Sequence, residues 1–399
     1  MNTLLLLYLG LGPCFWVLCI WLMINGRAHM RMGRRANLGK KSDYWPRVSI
    51  LIPAKNEGER IRDCIESALK QDYPDFHVIA IDDRSTDNTG AVMDELAGKY
   101  PHLKVVHILD GELPQGWTGK CNALQRGVQQ ADGEFLLFID SDVIVAPDAL
   151  RAAVLRAARR EVDLFSILPR LETHSFFETL IIPIAGAALT GMFTVSLTNR
   201  DKSGVSFANG QFLFFRRSAY EKIGGHALVK DQYCEDIEFA REMKPRGMKV
   251  RIAVANDMAA VRMYSSLHAI FRGWARIFFA ASRAKIWRMI IGIGFVVLLA
   301  LSAYPIFIWA AVHLGSNDPL RWDWFACAAA HLILVHTLMA MIYRWSGNKA
   351  RFTFGFPLAA IMLIGIWFRA IRMCFTGKVK WRGDVYKPMM ESAEPRIHL

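Results

Sequence analysis

The chain has 399 residues, of which 53% are hydrophobic, and it carries a formal net charge of +13. Its mean hydropathy of +0.20 is high for a soluble protein, and the apolar excess is concentrated at the two ends. Seven scattered cysteines without a Cys-x-x-Cys pair argue against a disulfide framework or a zinc site and favour a reducing compartment. The basic residues form neither a recognition helix nor a metal-finger spacing, so we expect no nucleic-acid partner.

The first predicted element is a transmembrane helix within residues 1–25. Residues 3–24 carry no charge and are long enough to cross a bilayer. A secretory signal peptide is the competing interpretation, but it fits poorly because the basic cluster follows the apolar run. The basic linker 26–45 predicts a cytoplasmic location for the domain behind it and contacts with anionic lipid head groups. Its basic residues include Arg27, Arg31, Arg34, Arg35, Lys40 and Lys41.

Residues 46–260 are predicted to form one globular α/β domain. Apolar runs typical of buried strands alternate with stretches of helical periodicity, which indicates a mostly parallel sheet with helices on both faces. The predicted strands are Val48–Pro53, His77–Asp82, Lys104–Ile108, the run that ends at Asp140, and Asp163–Leu168. The predicted helices lie at Glu57–Gln71, from about Thr89 to Tyr100, at Lys120–Ala131 and at Pro147–Arg160.

The second half of the chain is less regular and more apolar. Thr179–Val195 carries no charge and contains Pro183, and it predicts either a buried helix or, as the favoured alternative, a helix in the membrane interface. Residues 261–288 predict an amphipathic interfacial helix, and 289–375 contain three apolar segments expected to be transmembrane. Three full crossings would leave the basic tail, 376–399, outside, against the positive-inside rule, so we favour a cytoplasmic tail.

Acidic side chains follow two of the predicted strands. Asp140 and Asp142 end the apolar run 134–142, and Asp83 follows the second strand. Because ligands of open α/β sheets bind beyond the carboxyl ends of the strands, we expect these groups to meet in one crevice. Two carboxylates one residue apart suit a hard cation such as Mg²⁺, although an acidic pair after a strand can simply begin a turn.

Several motifs occur in a definite order along the chain. They are Pro53-Ala54-x-Asn56-Glu57, Asp82-Asp83-x-Ser85-Thr86-Asp87, Gly116-Trp117-x-Gly119-Lys120, Asp140-x-Asp142, Asn209-Gly210-Gln211, Gly224-Gly225-His226, Glu235-Asp236, and the segment from Gly377 to Gly383. In this order they resemble the family 2 glycosyltransferases, whose nucleotide-binding α/β fold is the GT-A type. The resemblance is strongest to the membrane-bound branch that includes the hopene-associated glycosyltransferase and the carotenoid (diaponeurosporenoate) glucosyltransferase. Neither a Gly-x-Gly-x-x-Gly turn nor a Walker lysine motif is present.

The resemblance implies a donor site for a nucleotide sugar. Asp83 would bind the uracil or the ribose, close to Pro53, Ala54 and Glu57. Lys120 would bind the diphosphate, because an ammonium group and helix N–H groups suit that anion. A turn cap for Asp83 and a solvated surface position for Lys120 are the alternatives.

The resemblance also implies a metal site and a general base. Asp142, with Asp140 beside it, would hold Mg²⁺ or Mn²⁺ on the diphosphate, where the cation offsets charge that builds on the leaving group. Asp140 would also contact the donor. Asp236 would accept the proton of the acceptor hydroxyl. Glu235 and Asp236 could instead be only the acidic first turn of a helix.

A further set of residues consists of weaker candidates for contacts with the acceptor or the diphosphate: Glu235, His226, Gln211, Trp274, Arg272 and Arg276. Many processive members of the family carry Gln-x-x-Arg-Trp after the base, whereas this chain has the segment from Phe271 to Arg276. Trp274 could stack on a sugar, or the segment could be an interfacial helix with arginines that reach head groups. The departure counts against a polysaccharide synthase.

The sequence thus predicts an integral inner-membrane glycosyltransferase with a cytoplasmic catalytic domain. It would transfer a sugar, with a UDP-sugar as the favoured donor, to a hopanoid, carotenoid or other glycolipid-type acceptor, with inversion and with a divalent metal. A polyprenyl-phosphate glycosyltransferase and a non-catalytic nucleotide-sugar-binding membrane protein are the alternatives. A transporter is disfavoured, because no apolar segment contains a clear inward-facing charge pair.

Overall fold

The computed structural model describes residues 3–30, 45–232, 234–283, 285–376, 379–381 and 384–386. The predicted basic linker lies largely outside the described residues, as does most of the predicted tail, including Lys378 and Arg382. The described residues form an α/β domain and a set of long apolar helices from the two ends of the chain.

A seven-stranded sheet forms the centre of the α/β domain. The strands of the protein are β1 Val48–Ala54, β2 Phe76–Asp83, β3 Leu103–Ile108, β4 Phe135–Phe138, β5 Val143–Val145, β6 Leu164–Leu168, β7 Arg170–Leu171, β8 Leu213–Arg216, β9 Val250–Val254, β10 Ala259–Val261, β11 Val379–Trp381 and β12 Asp384–Tyr386. The central sheet has the order β3-β2-β1-β4-β8-β6-β9, and only β8 runs antiparallel to its neighbours. A smaller sheet has the order β5-β10-β7, and β11 pairs with β12. The predicted mostly parallel sheet is confirmed.

The helices are α1 Thr3–Leu9, α2 Phe15–Met30, α3 Ile61–Leu69, α4 Thr89–Ala97, α5 Gly119–Val128, α6 Ala149–Arg160, α7 Phe176–Met192, α8 Arg217–Lys222, α9 Gly225–Leu228, α10 Glu235–Met243, α11 Leu267–Ala281, α12 Ile286–Phe295, α13 Ala303–His313, α14 Arg321–Trp345 and α15 Phe356–Thr376. Two π-helical segments, Gly10–Cys14 and Val296–Leu301, interrupt the first and the second long apolar helix. Short 3₁₀ turns occupy Val195–Asn199, Lys244–Arg246 and Ala350–Gly355.

Helices cover both faces of the central sheet. Successive side chains of a strand point to opposite faces, so each strand contributes to a core on either side. Ile50 of β1 belongs to one core with Ile65 of α3 and Val154 of α6. Its neighbour Leu51 belongs to a second core with Leu124 of α5. All residues of β1 are buried, as expected of a strand that is covered on both faces. The GT-A-like α/β class predicted from the sequence is confirmed.

Two predicted element boundaries differ from the structure. The helix expected from Glu57 begins at Ile61, because the backbone N–H groups of Glu57 and Gly58 donate to side chains of the next loop and Arg60 has a non-helical φ of −121°. The strand expected to reach Asp140 ends at Phe138. The acidic pair therefore lies in the turn that follows the strand, outside the hydrogen-bonded ladder.

Within the described residues, four helical segments are long and apolar enough to cross a membrane by length and composition. They are Thr3–Arg27, Ile286–His313, Arg321–Trp345 and Ala350–Thr376. Together with α7 and α11 they form one apolar core, distinct from the two cores of the sheet. The predicted presence of long apolar helices near both ends of the chain is confirmed.

The segment predicted as Thr179–Val195 forms helix α7, Phe176–Met192. Residues Glu178 to Ala185 are buried, and from Leu180 onward they pack in the core of the apolar helices, whereas the second half of α7 is partly exposed. The first half of α7 is therefore a buried helix. The favoured interfacial placement of the whole segment stays a prediction.

A polar contact inside the apolar core holds the N-terminal helix against the C-terminal helices. Trp16 Nε1 lies 2.9 Å from the carbonyl oxygen of Leu299 and 3.0 Å from His331 Nε2. The hydroxyl of Tyr8 lies 2.9 Å from the other ring nitrogen of His331. Gly12 allows this approach, since a Cβ there would lie 2.9 Å from His331 Nδ1. The N-terminal helix is thus a packed part of the bundle.

Gly133→Ala should destabilise the α/β domain. A Cβ at Gly133 would lie 2.5 Å from the backbone nitrogen of Ser49 and 2.8 Å from the carbonyl oxygen of Phe135, so two paired strands would have to separate. We expect a loss of about 1–3 kcal/mol, the usual cost of overpacking, measured as a lower midpoint of thermal denaturation in detergent. Gly98→Ala is the control, because its Cβ would be 3.6 Å from the nearest atom. Equal midpoints for the two variants would contradict the packing argument.

Candidate active site

One cleft of about 310 Å³ opens at the carboxyl ends of β1, β2 and β4. The N-terminal turns of α5 and α10 close it from two sides, and α11 forms a further wall. The residues lining the cleft are Pro53, Ala54, Lys55, Asp83, Gly119, Lys120, Asp140, Ser141, Asp142, Asn209, Gly210, Gln211, Cys234, Glu235, Asp236, Met263, Tyr264, Arg276 and Ile277. The strand ends singled out in the sequence therefore do meet in one crevice.

Lys120 lies at the centre of the cleft between two carboxylates. Its Nζ is 2.6 Å from Asp140 Oδ1 and 2.7 Å from Glu235 Oε1. Burial lowers the pKa of Lys120, but the two carboxylates outweigh burial and hold that pKa well above its usual value. The side chain is therefore a permanent positive charge at the first turn of α5, which Thr118 caps by accepting from the N–H of Cys121. An ammonium group at a helix N-terminus suits a diphosphate.

Asp83 ends β2 in a buried position against the same helix. Its carboxylate accepts hydrogen bonds from Arg84, with Nε 2.8 Å from Oδ1 and Nη2 3.2 Å from Oδ2. Gly119 makes the close approach of α5 possible, because a Cβ there would lie 2.3 Å from Asp83 Oδ2. The bidentate contact fixes the orientation of the carboxylate at the edge of the cleft.

Asp236 lies in the first turn of α10, and both of its carboxylate oxygens accept hydrogen bonds from backbone N–H groups. Oδ2 is 2.6 Å from the nitrogen of Gly210, and Oδ1 is 2.8 Å from the nitrogen of Ile237. Burial, and then the charge of Glu235, raise the pKa of Asp236 to about 7, although Lys120 acts in the opposite direction. A carboxylate with a pKa near neutrality, at the wall of a cleft, can accept a proton under physiological conditions.

Asp140 and Asp142 are the carboxylates of the cleft that suit a divalent cation. Among the residues that the structure describes, no group of three His, Cys, Asp or Glu side chains lies close enough together to hold a metal ion. Mg²⁺ commonly takes only one or two protein carboxylates and completes its shell with substrate phosphates and water. The pair therefore fits a cation that binds together with a diphosphate, and the ligand role stays a prediction.

The structure brings most of the sequence-derived candidates to the cleft. Pro53, Ala54, Gln211 and Arg276 line it, as do Asp83, Lys120, Asp140, Asp142, Glu235 and Asp236. Glu57 does not line it, and its backbone N–H donates to the Thr89 hydroxyl at 2.8 Å in the loop before α3.

Three weaker candidates lie elsewhere. His226 is fully buried, with Nδ1 2.7 Å from the hydroxyl of Tyr220, and burial lowers its pKa to about 3. Trp274 is 2% exposed and packs against Phe278 in the core of the apolar helices. Arg272 lies on the exposed surface of α11. Packing holds His226 and Trp274 away from the cleft, and Arg272 does not line it, so contacts of these residues with a substrate in the cleft are not supported.

Tyr264 is a cleft residue that the sequence did not single out. Its ring lies on Gly273 of α11, where a Cβ would come within 2.1 Å of the ring. It accepts a hydrogen bond from Arg276, and burial raises its pKa to about 12. The glycine in the middle of an otherwise bulky helix was the only sequence signal for this close approach.

A sequence profile described as glycosyl transferase family 21 matches residues 14–392. Over 257 residues the chain is 26% identical to the 4,4'-diaponeurosporenoate glycosyltransferase of Staphylococcus aureus (strain MRSA252), covering 64% of this chain and 65% of that protein. The chain thus spans slightly less than two thirds of that relative. A stretch of 117 residues is 31% identical to the uncharacterized glycosyltransferase YibD of Escherichia coli (strain K12), covering 29% of this chain and 32% of that protein.

Among solved structures, the mannosyltransferase PcManGT of Pyrobaculum calidifontis, in complex with GDP-Man and Mn²⁺, is 20% identical. It aligns over 85% of this chain and 92% of its own, with a TM-score of 0.44. The assignment rests on the sequence profile, which covers the α/β domain and all three C-terminal apolar helices. The profile names family 21 where the motifs suggested family 2, and the Staphylococcus aureus relative agrees with the predicted likeness to the carotenoid glycosyltransferases. The chain belongs to glycosyl transferase family 21.

Proposed function

We propose that the protein transfers a sugar from a nucleotide-sugar donor to a lipid acceptor in the membrane. A UDP-sugar is the favoured donor. One observation carries the proposal: the cleft that contains Asp83, Lys120, Asp142 and Asp236 is walled by α11, and α11 also packs in the core of the membrane-length helices. A soluble donor can reach such a cleft from the domain side. A membrane-embedded acceptor can reach it along α11.

The donor side of the cleft is formed by β1, β2 and α5. Pro53, Ala54 and the buried carboxylate of Asp83 would contact the nucleoside, and Lys120 would contact the diphosphate. Lys120 is already held by two carboxylates, so it enters the complex as an oriented charge, and little side-chain entropy is lost on binding.

Asp140 and Asp142 would hold Mg²⁺ or Mn²⁺ against the diphosphate. When bound, such a cation neutralises charge on the departing nucleoside diphosphate. In the structure Asp140 is in contact with the ammonium group of Lys120, so a positive charge already accompanies this carboxylate.

Asp236 would act as the general base of an inverting displacement. Its carboxylate takes the proton of the acceptor hydroxyl, while the hydroxyl oxygen forms a bond to the anomeric carbon of the sugar. The bond from that carbon to the diphosphate oxygen breaks, and the nucleoside diphosphate leaves with the bonding electrons. Gly210 and Ile237 hold the base in position through their backbone N–H groups.

The acceptor is proposed to be an apolar lipid of the hopanoid, carotenoid or other glycolipid type, on the cytoplasmic side of an inner membrane. The likeness to 4,4'-diaponeurosporenoate glycosyltransferase supports this class. Met263 and Ile277 give the cleft an apolar wall on the α11 side, which suits a hydrocarbon substrate.

Nucleotide release tests the proposal. The detergent-purified protein is offered UDP-, GDP- and dTDP-sugars with Mg²⁺ or Mn²⁺, with and without extracted membrane lipids and with polyprenyl phosphate as a separate acceptor. We expect release that requires one donor, the metal and the lipid extract. Release with polyprenyl phosphate alone would favour the alternative acceptor class, and donor binding without release from any mixture would favour a binding protein.

Asp236→Asn should abolish transfer and leave metal-dependent donor binding largely intact. The amide cannot accept the proton, and general bases contribute about 10²–10⁴-fold to turnover, so we expect kcat to fall by that factor. The measurements are steady-state turnover and a donor-binding titration. Asp231→Asn, a neighbouring acidic residue that does not line the cleft, should behave as the wild type. Normal turnover in Asp236→Asn would remove Asp236 as the base.

Asp142→Asn should weaken metal-dependent donor binding by about tenfold or more, equivalent to about 1.4 kcal/mol, because an anionic oxygen ligand is lost. The measurement is a Mn²⁺ titration of donor binding by calorimetry. Asp132→Asn serves as the control, since Asp132 is on the surface beside Arg47. An unchanged metal titration in Asp142→Asn would exclude Asp142 as a ligand.

The pH dependence of turnover should show an acid limb near pH 7. The base must be ionised to accept a proton, so kcat should rise with pH through about 7, where Asp236 titrates, and then level off. Glu235→Gln removes a negative charge that raises the pKa of Asp236, so its acid limb should move to lower pH. A limb at the same pH in both proteins would show that Asp236 is not the titrating group.

A further inference from the structure

The last long apolar helix, α15, packs against a different set of neighbours from the other three. Its buried side chains lie against α11 and α7, and against the first half and the middle, Val296–Leu301, of the helix that begins at Ile286. Gly365 contacts the ring of Phe271, and Trp367 contacts Phe278, both on α11. Most of these neighbours belong to the part of the helical core that adjoins the catalytic domain, and none belongs to α13 or α14.

The catalytic-side ends of the other apolar helices can be located from their contacts with the α/β domain. Asn256, which follows β9, donates to the carbonyl oxygen of Trp345 at 2.8 Å, so α14 ends beside the domain. The guanidinium of Arg27 lies 4.2 Å from the ring centroid of Trp345, so the N-terminal helix ends there too. The helix that begins at Ile286 follows α11 after only a few residues.

The start of the last apolar segment lies less than half of the length of α14 away from this level. Thr353 is hydrogen-bonded to His336 of α14, with distances of 3.0 Å to both the ring Nδ1 and the carbonyl oxygen. His336 lies nine residues before Trp345, which is about 14 Å from the catalytic-side end at 1.5 Å per residue. The segment from Ala350 therefore turns back within one leaflet of the membrane.

The middle of α15, at Trp367, has a similar depth. A Cβ at Gly292 would lie 3.0 Å from the ring of Trp367, and Gly292 is only about 9 Å along its helix from Ile286. Thr353 and Trp367 are fourteen residues apart, which is at least about 20 Å of helix, yet their depths differ by about 5 Å. A helix that crosses the membrane would change depth by most of its length.

The exposed face of α15 has the composition of a helix in the membrane interface. Leu358, Ile361, Phe368 and Phe375 are exposed apolar residues. Two arginines, at 369 and 372, are exposed on the second half of the helix among the phenylalanines. Apolar side chains suit the acyl region, and arginines reach from it to acidic head groups.

We propose that α15 does not cross the membrane, and that it lies in the leaflet next to the catalytic domain, with its exposed face on lipid. The protein then crosses three times, through Thr3–Arg27, Ile286–His313 and Arg321–Trp345. The basic C-terminal tail is on the same side as the catalytic domain, in agreement with the positive-inside rule. This inference concerns topology and does not depend on the proposed glycosyl transfer.

Site-specific labelling tests the topology. Three single-cysteine variants are made in a background without the seven native cysteines. They are Lys202→Cys in the catalytic domain, Ser316→Cys between α13 and α14, and Ser392→Cys in the tail. Sealed membrane vesicles are treated with a membrane-impermeant maleimide before and after lysis. We expect Ser392→Cys to label from the same side as Lys202→Cys, and Ser316→Cys to label from the other side. Labelling of Ser392→Cys together with Ser316→Cys would overturn the proposal.

A second measurement covers the case in which the cysteine-free protein fails to fold. Green fluorescent protein or alkaline phosphatase is fused to the C-terminus of the otherwise native full chain in a bacterial host. With the catalytic domain on the cytoplasmic side, as proposed above, a tail on that same side gives a fluorescent fusion and an inactive phosphatase, since phosphatase becomes active only after export. An active phosphatase with a dark fluorescent-protein fusion would show that α15 crosses.

Discussion

The contact of Lys120 with Asp140 and Glu235 holds the two halves of the catalytic domain together at the cleft. Asp140 follows a strand of the first half, and Glu235 opens a helix of the second half. Removing three charges from water is costly, and the cost is offset only when each charge has a partner in good geometry. Both ion-pair distances here are below 2.8 Å. Without the lysine, the acidic groups of the cleft would repel one another, so the same residue serves the fold and the binding of an anionic donor.

Helix α11 connects this cleft with the membrane. One side of it contributes Arg276 and Ile277 to the cleft, and another side packs Phe271 and Phe278 against α15. The ring of Tyr264 lies on the helix at Gly273 and contacts Arg276. A displacement of α11 would therefore move a wall of the cleft and the arginine on it together. This arrangement couples the packing of the apolar helices to the geometry of the proposed active site.

The sequence predicted the strand ends well, because buried strands are apolar runs and the polar residues after them are conspicuous. Asp83, Asp140 and Asp142 could be placed in one cleft on that basis, whereas Asp236, in the first turn of α10, came from the family resemblance. Contacts made across the chain carry no such signal. The turn of His226 into an aromatic cluster depends on residues distant in sequence, among them Phe138.

The same limit applies to α11. Its composition indicates an amphipathic helix, but its rotation decides which residues meet the cleft, and that rotation is set by α7 and α15. Arg276 and Trp274 were both candidates from the sequence, but only Arg276 lines the cleft, and Trp274 points into the apolar core. Tyr264 follows the short strand β10 with no periodicity around it, so only the three-dimensional contact with Gly273 reveals its position.

The shared core of the apolar helices also means that the catalytic domain and its membrane part are not separable modules. Trp16 of the N-terminal helix and Tyr343 of α14 belong to the same core as Trp274 and Phe278 of α11. Deleting the terminal helices to obtain a soluble enzyme would expose that face of α11 to water and leave a wall of the cleft without support. A truncated protein of this kind is expected to aggregate or to lose its binding site, so biochemical work on this chain calls for the full-length form in detergent or in a lipid nanodisc.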